Sequence, residues 1–116
     1  MNIEVKNNVA IVREVEVLIT DGQSALDLIA TVKYETGCEA MVLPKDALSE
    51  DFFRLPTGLA GEVLQKFINY HMRLAVVGDF SGYTSKNLKD FLYESNKGNA
   101  VCFLRDEAEA VTRLGL

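Results

Sequence analysis

Arg54, Thr57, Gly58, Asp79 and Ser81 are the residues whose types and spacing lend themselves to chemistry. Arg54 stands just ahead of Thr57-Gly58, where an apolar-striped helix begins. Free N–H groups at a helix start, with a guanidinium beside them, suit a small anion. A plainer reading makes Arg54 a surface partner of Asp51 or Glu50 and Thr57 a helix N-cap. Asp79 directly follows the run Leu74-Ala75-Val76-Val77. A carboxylate there can act as general base, bind a cation or hold a ligand hydroxyl; it can also be a turn residue bonding the backbone near Ser81. Ser81 has no histidine nearby, because the single His71 lies at the amino end of that strand. A Ser-His pair would have to span the sheet, and His71 is read as a helix C-terminal residue favoured by the dipole.

Other chemistry is poorly supplied. Cys38 and Cys102 are far apart in the chain, with no CxxC pair and one histidine, so no common Cys/His zinc set assembles. Both cysteines read as small buried hydrophobes. Neither GxGxxG nor GK[ST] is present, so no nucleotide cofactor is implied; the small residues Gly58, Ala60 and Gly61 read as allowing close packing of a helix start. The 17 acidic and 12 basic residues give a net charge of −5 and are interspersed, without the basic cluster that a nucleic-acid backbone needs. Apolar runs fall far below the ~20 residues of a membrane span, and the N-terminus lacks the pattern of a secretory signal. A cytoplasmic location is expected.

The elements that must position these residues follow from periodicity. Ile3 and Val5 alternate with polar residues, Asn7-Asn8 turns, and Val9 to Val15 is a second apolar stretch, which together predict a hairpin. After Asp21-Gly22, the residues Ala25, Leu26, Leu28, Ile29 and Val32 predict a helix from about Gln23 to Glu35, stopped by Gly37. Glu39 to Leu43 reads as a strand and Pro44 to Pro56 as a loop with a helical turn. A second helix from Thr57 or Gly58 carries the stripe Leu59, Ala60, Val63, Leu64, Phe67 and Ile68. Leu74 to Val77 is a strand, and Ser85 caps a helix with Leu88, Phe91 and Leu92 inward that ends near Asn96-Lys97-Gly98. Ala100 to Leu104 is the last strand. Asp106 with Glu109 has the logic of a capping box before a helix burying Ala108, Val111 and Leu114. The expectation is one α/β domain over residues 1–116, ββαβαβαβα, with the last three strands parallel and the hairpin completing a mixed sheet. Ligands then belong at the carboxyl ends of the strands, along Pro44 to Thr57, Asp79 to Ser85 and Arg105 to Glu107.

That order of elements resembles the STAS domain of bacterial anti-sigma-factor antagonists and sulfate-transporter tails. Phe53-Arg54-Leu55-Pro56-Thr57-Gly58-Leu59 is similar to the stretch in which Phe-x-Asp-Ser-Ser-Gly-Leu leads into their second helix and the first Ser is phosphorylated. Leu55 replaces the Asp and Pro56 that Ser, so the phospho-switch is not carried over; Thr57, at the second Ser position, is either an alternative acceptor or an N-cap. Longer blocks, at Gln23 to Ile29, Asp51 to Phe67, Arg73 to Asp79 and Phe91 to Asn96, resemble small bacterial proteins grouped as domain-of-unknown-function family 4180.

Two functions from different classes remain. One is a non-enzymatic regulatory or interaction module docking a protein partner through Asp51 to Lys66, with a homodimer as a blander alternative. The polar helix end Glu94-Ser95-Asn96 and the tyrosines Tyr70, Tyr83 and Tyr93 are further candidates for such a surface. The other is a small enzyme or a metabolite- or anion-binding protein whose site converges on Arg54, Thr57, Asp79 and Ser81.

Overall fold

The computed structural model describes residues 1–115. A five-stranded sheet runs in simple order: β1 (Ile3–Lys6), β2 (Val9–Val12), β3 (Ala40–Pro44), β4 (Arg73–Val77) and β5 (Val101–Leu104). β1 and β2 form the expected hairpin, with Ile3 opposite Val12 and Lys6 opposite Val9. Asn7 and Asn8 take φ values of 52° and 64°, the tight-turn geometry that asparagine tolerates. From β2 onward every pairing is parallel. The mixed α/β sheet is as expected, and its parallel part includes β2. Strand β2 stops at Val12, and Val15 is 98% exposed, because the chain there leaves the sheet.

Helices α1 (Gly22–Thr36), α2 (Leu59–Asn69) and α3 (Lys86–Lys97) make the crossovers between neighbouring strands. Same-handed crossovers between successive neighbours put their helices on one face. Leu28, Ile29 and Val32 of α1, Val63 and Phe67 of α2 and Leu88 of α3 accordingly share one core with Met41, Leu43, Leu74, Val76 and Phe103. The opposite face, through Ile11, Val42, Ala75 and Cys102, is left to α4 (Glu107–Leu114). Here Ala110 rather than Ala108 joins Val111 and Leu114 in the core, and Ala108 is exposed. On α2, Ile68 is 51% exposed, at the margin of the stripe rather than within it.

The helix starts show why the chain folds locally as it does. Asp21 accepts from the Ser24 N–H at 2.8 Å and Ser24 Oγ accepts from the Asp21 N–H at 3.1 Å, a reciprocal capping box. Ser85 caps α3 through the Leu88 N–H. Asp106 caps α4 through the Glu109 N–H. Gly22 lies so close to α2 that a Cβ would stand 2.5 Å from Glu62 Oε1, and that carboxylate accepts the Gly22 N–H at 2.8 Å.

Asn96 has a use not evident from its place at a polar helix end. The carbonyls of Ala100, just before β5, and of Leu104, at its end, accept from the N–H groups of Leu74 and Gly78 on the β4 side, so the backbone of Phe103 turns outward. Asn96 Oδ1 accepts the Phe103 N–H at 2.6 Å while Asn96 Nδ2 donates to its carbonyl at 3.0 Å. The side chain thus stands in for a neighbouring strand. Asn96→Ala should lower stability by about 1–2 kcal/mol, read from chemical denaturation, because both half-buried groups lose their partner.

Candidate functional site

Strand register decides what meets at the carboxyl edge. Pro44 lies opposite Val77, and Val77 opposite Leu104. The residues that follow, Lys45, Gly78-Asp79 and Arg105, therefore emerge side by side. Gly78 has no room for a side chain, since a Cβ would stand 2.6 Å from Lys45 Cβ. Asp79 Oδ1 accepts from both the N–H and the hydroxyl of Ser81, at 2.9 and 2.6 Å. The Ser81 hydroxyl, then its N–H, hold the Asp79 carboxyl below its ordinary value, and the charges of Arg105 and Lys45 act the same way. The expected carboxyl-end segments contain Lys45 and Arg105 but did not single them out beside Asp79 and Ser81, because their approach depends on register.

Arg54, Thr57 and Gly58 form a second group. The chain from Pro44 to α2 is three short 3-10 turns, Lys45–Ala47, Glu50–Phe53 and Leu55–Thr57. Arg54 pairs with Asp51 at 2.8 Å, with both side chains exposed. Thr57 Oγ1 donates to the Asp51 carbonyl at 2.7 Å and accepts from the Leu59 N–H at 3.2 Å, so its hydroxyl ties the loop to the first turn of α2. Gly58 takes φ 79°, the left-handed region that favours glycine. The expected close packing at Gly58 and Gly61 is not what these glycines provide, for among the described residues nothing stands within 4 Å of a Cβ at either. No hydrogen bond joins this group to Asp79 and Ser81.

Aromatic rings link the two groups from beneath. Five of the six phenylalanines gather at this end of the molecule. Phe103 meets Phe52, Phe80 and Phe91 at centroid distances of 6.1, 5.7 and 5.8 Å. Phe53 meets Phe80 at 5.9 Å and stacks on Tyr83 at 5.2 Å. Lys45 Nζ lies 4.7 Å from the Tyr83 ring centre, a cation–π contact. Tyr83 donates its hydroxyl to Glu50 at 3.1 Å; burial, then the Glu50 carboxylate, push its phenol above the ordinary value. Tyr83 thus belongs to this edge, while Tyr93 lies under Lys97 on α3.

Two clefts flank α4 on the other face. One, of 360 Å³, lies by Cys38, Arg73 and Leu114; the other, of 290 Å³, lies by Val42, Val77 and Glu107. Neither is lined by any of the five sequence-derived candidates. Cys38 and Cys102 are buried free thiols, and burial pushes the Cys102 thiol up. Among the described residues, no group of three or more His, Cys, Asp or Glu side chains is placed to hold a metal ion, and no helix is long and apolar enough to cross a membrane.

An open sheet with its crossover helices on one face and a charged carboxyl edge over packed rings defines a small mixed α/β fold. Within it, the chain belongs to the family described as Domain of unknown function (DUF4180), whose model matches residues 4–114. No curated protein and no solved structure matches it.

Two outcomes test the edge. The Asp79 carboxyl ionises at lower pH in the folded chain than in the unfolded one. Its charge therefore stabilises the fold above the ordinary value of 3.8, and this contribution is lost as pH falls through the folded value. Asp79→Asn should be less stable than wild type at neutral pH, with the difference vanishing in acid, as measured by urea melts across pH. Phe53→Ala should cost about 3–5 kcal/mol in the same assay, because the ring is buried at the centre of the cluster.

Proposed function

We propose that this chain is a non-enzymatic regulatory or protein-interaction module of STAS-like architecture in the bacterial cytoplasm. It docks a protein partner through the loop and helix between Asp51 and Lys66. The observation that carries the reading is the surface from Arg54 to Gly61: exposed at Arg54, Pro56, Thr57, Gly58 and Gly61, open above both glycines, and backed by buried Phe52 and Phe53. A backbone held rigid by buried rings, with few long side chains to immobilise, loses little entropy on docking. The STAS-like part rests on the order of elements and on the likeness of Phe53 to Leu59. With Leu55-Pro56 at the Asp-Ser step, docking is constitutive rather than switched there.

One observation favours a second reading, a small enzyme or an anion- or metabolite-binding protein. Lys45 and Arg105 flank Asp79 at the strand ends, where ligands of open α/β sheets collect. In that case inorganic phosphate should perturb the amide resonances of Lys45, Ser81 and Arg105, and Lys45→Ala should remove the effect.

Gly61 separates the two readings. Gly61→Ala should stabilise the protein by about 0.5–1 kcal/mol, since glycine is costly within a helix. Gly61→Arg should keep the fold and lose the partner in affinity capture with cross-linking from the native host, as should Arg54→Ala and Thr57→Ala. A partner retained equally by all three variants would sink the docking reading.

A further inference from the structure

The sheet has two free edges, and the chain treats them differently. At β5 the outward groups of Phe103 are occupied by Asn96. At β1, among the described residues, nothing comparable is built. The Arg13 N–H donates to the Asn2 carbonyl at 2.9 Å, and hydrogen-bonded pairs alternate along an antiparallel ladder. Glu4–Ile11 and Lys6–Val9 are therefore the bonded pairs of the hairpin, in register with Asn2–Arg13. The N–H and C=O of Ile3 and Val5 point away from the sheet, and no partner meets them among the described residues. Native edges are usually blunted by short length and charge. β1 is short and carries Glu4 and Lys6, yet Val5 is 49% exposed beside its free backbone groups.

We propose that β1 pairs antiparallel with β1 of a second copy of this chain, about a two-fold axis through the two Val5 residues. Outward groups must face outward groups, so the axis can pass through Val5, Glu4 or Ile3. Charge selects among them. An axis through Glu4 sets Glu4 against Glu4 at a non-bonded position, where side chains come closest, and like charges there are unfavourable. An axis through Ile3 sets Glu4 against Asn2 and leaves Lys6 beyond the overlap. The axis through Val5 sets Glu4 opposite Lys6 of the other copy twice, while the two Val5 residues exchange N–H···O bonds and bring their exposed side chains together. Glu4 is already held for this role, since Arg13 Nη2 grips Oε1 at 2.8 Å and leaves Oε2 on the Lys6 side, 3.5 Å from Lys6 Nζ of its own chain. The pairing does not use the Arg54 to Gly61 surface. Gly61→Arg should leave it unchanged, so it and the docking reading can fail separately.

The test is solution mass by light scattering and sedimentation over a concentration series. Wild type should move reversibly from the monomer mass to twice that mass. Val5→Pro removes the outward N–H at a position where an edge strand tolerates proline. It should keep the far-UV circular dichroism and raise the dimer Kd by roughly tenfold or more, as two interchain donors are lost. Lys6→Glu alone and Glu4→Lys alone should each weaken self-association, and an equimolar mixture of the two should form a heterodimer, because every opposed pair is then of opposite charge. A wild type that stays monomeric throughout overturns the proposal. So does a folded Val5→Pro protein that dimerises like wild type, or a mixture of the charge variants that shows no rescue.

Discussion

Sequential strand order is the constraint on which the rest of this structure depends. When each parallel strand lies beside its predecessor and every crossover turns the same way, all crossover helices fall on one face. That face receives α1, α2 and α3, and the other must be closed by what remains of the chain, the eight residues of α4. Strands β2 and β5 are consequently apolar at every position and buried on both faces. β1, outside the reach of this arrangement, alternates apolar and charged residues.

The same constraint assembles the carboxyl edge. Adjacent in-register strands deliver their following residues as neighbours, so Lys45, Asp79 and Arg105 need no long-range design to meet. The loops that continue from them are apolar beneath and charged above. Phe52, Phe53 and Phe80 fill the space under the turns, while Lys45, Glu50 and Arg54 remain at the surface. Offset and edge-on ring contacts of this kind add to simple area burial. They give a loop region without long helices or strands the firmness of a core.

Much of this was legible in the sequence because it is local. The 3.6-residue stripes located α1, α2 and α3, and Ser85 and Asp106 announced their caps. Asp79 with Ser81 could be read as a turn from their spacing, and that turn forms. What failed was tertiary. Ala108 and Ala110 both fit the short α4, and only the angle at which it meets the sheet chooses Ala110. Gly58 and Gly61 suggested close approach, but glycine answers equally to backbone conformation, and close approaches fall instead at Gly22, Gly78 and Gly115. Asn96 read only as part of a polar helix end, since its partner Phe103 is defined by the direction a strand edge faces.

Asn96 also bears on how large an assembly this sheet can support. A chain with both edges open can add copies at either end without limit, the route to fibres. With Phe103 engaged by an amide from its own chain, the middle of the β5 edge is occupied, so strand addition there meets an obstacle that β1 does not present. One side chain at the end of α3 thus sets the two borders of the sheet apart, leaving β1 the more open to a neighbour.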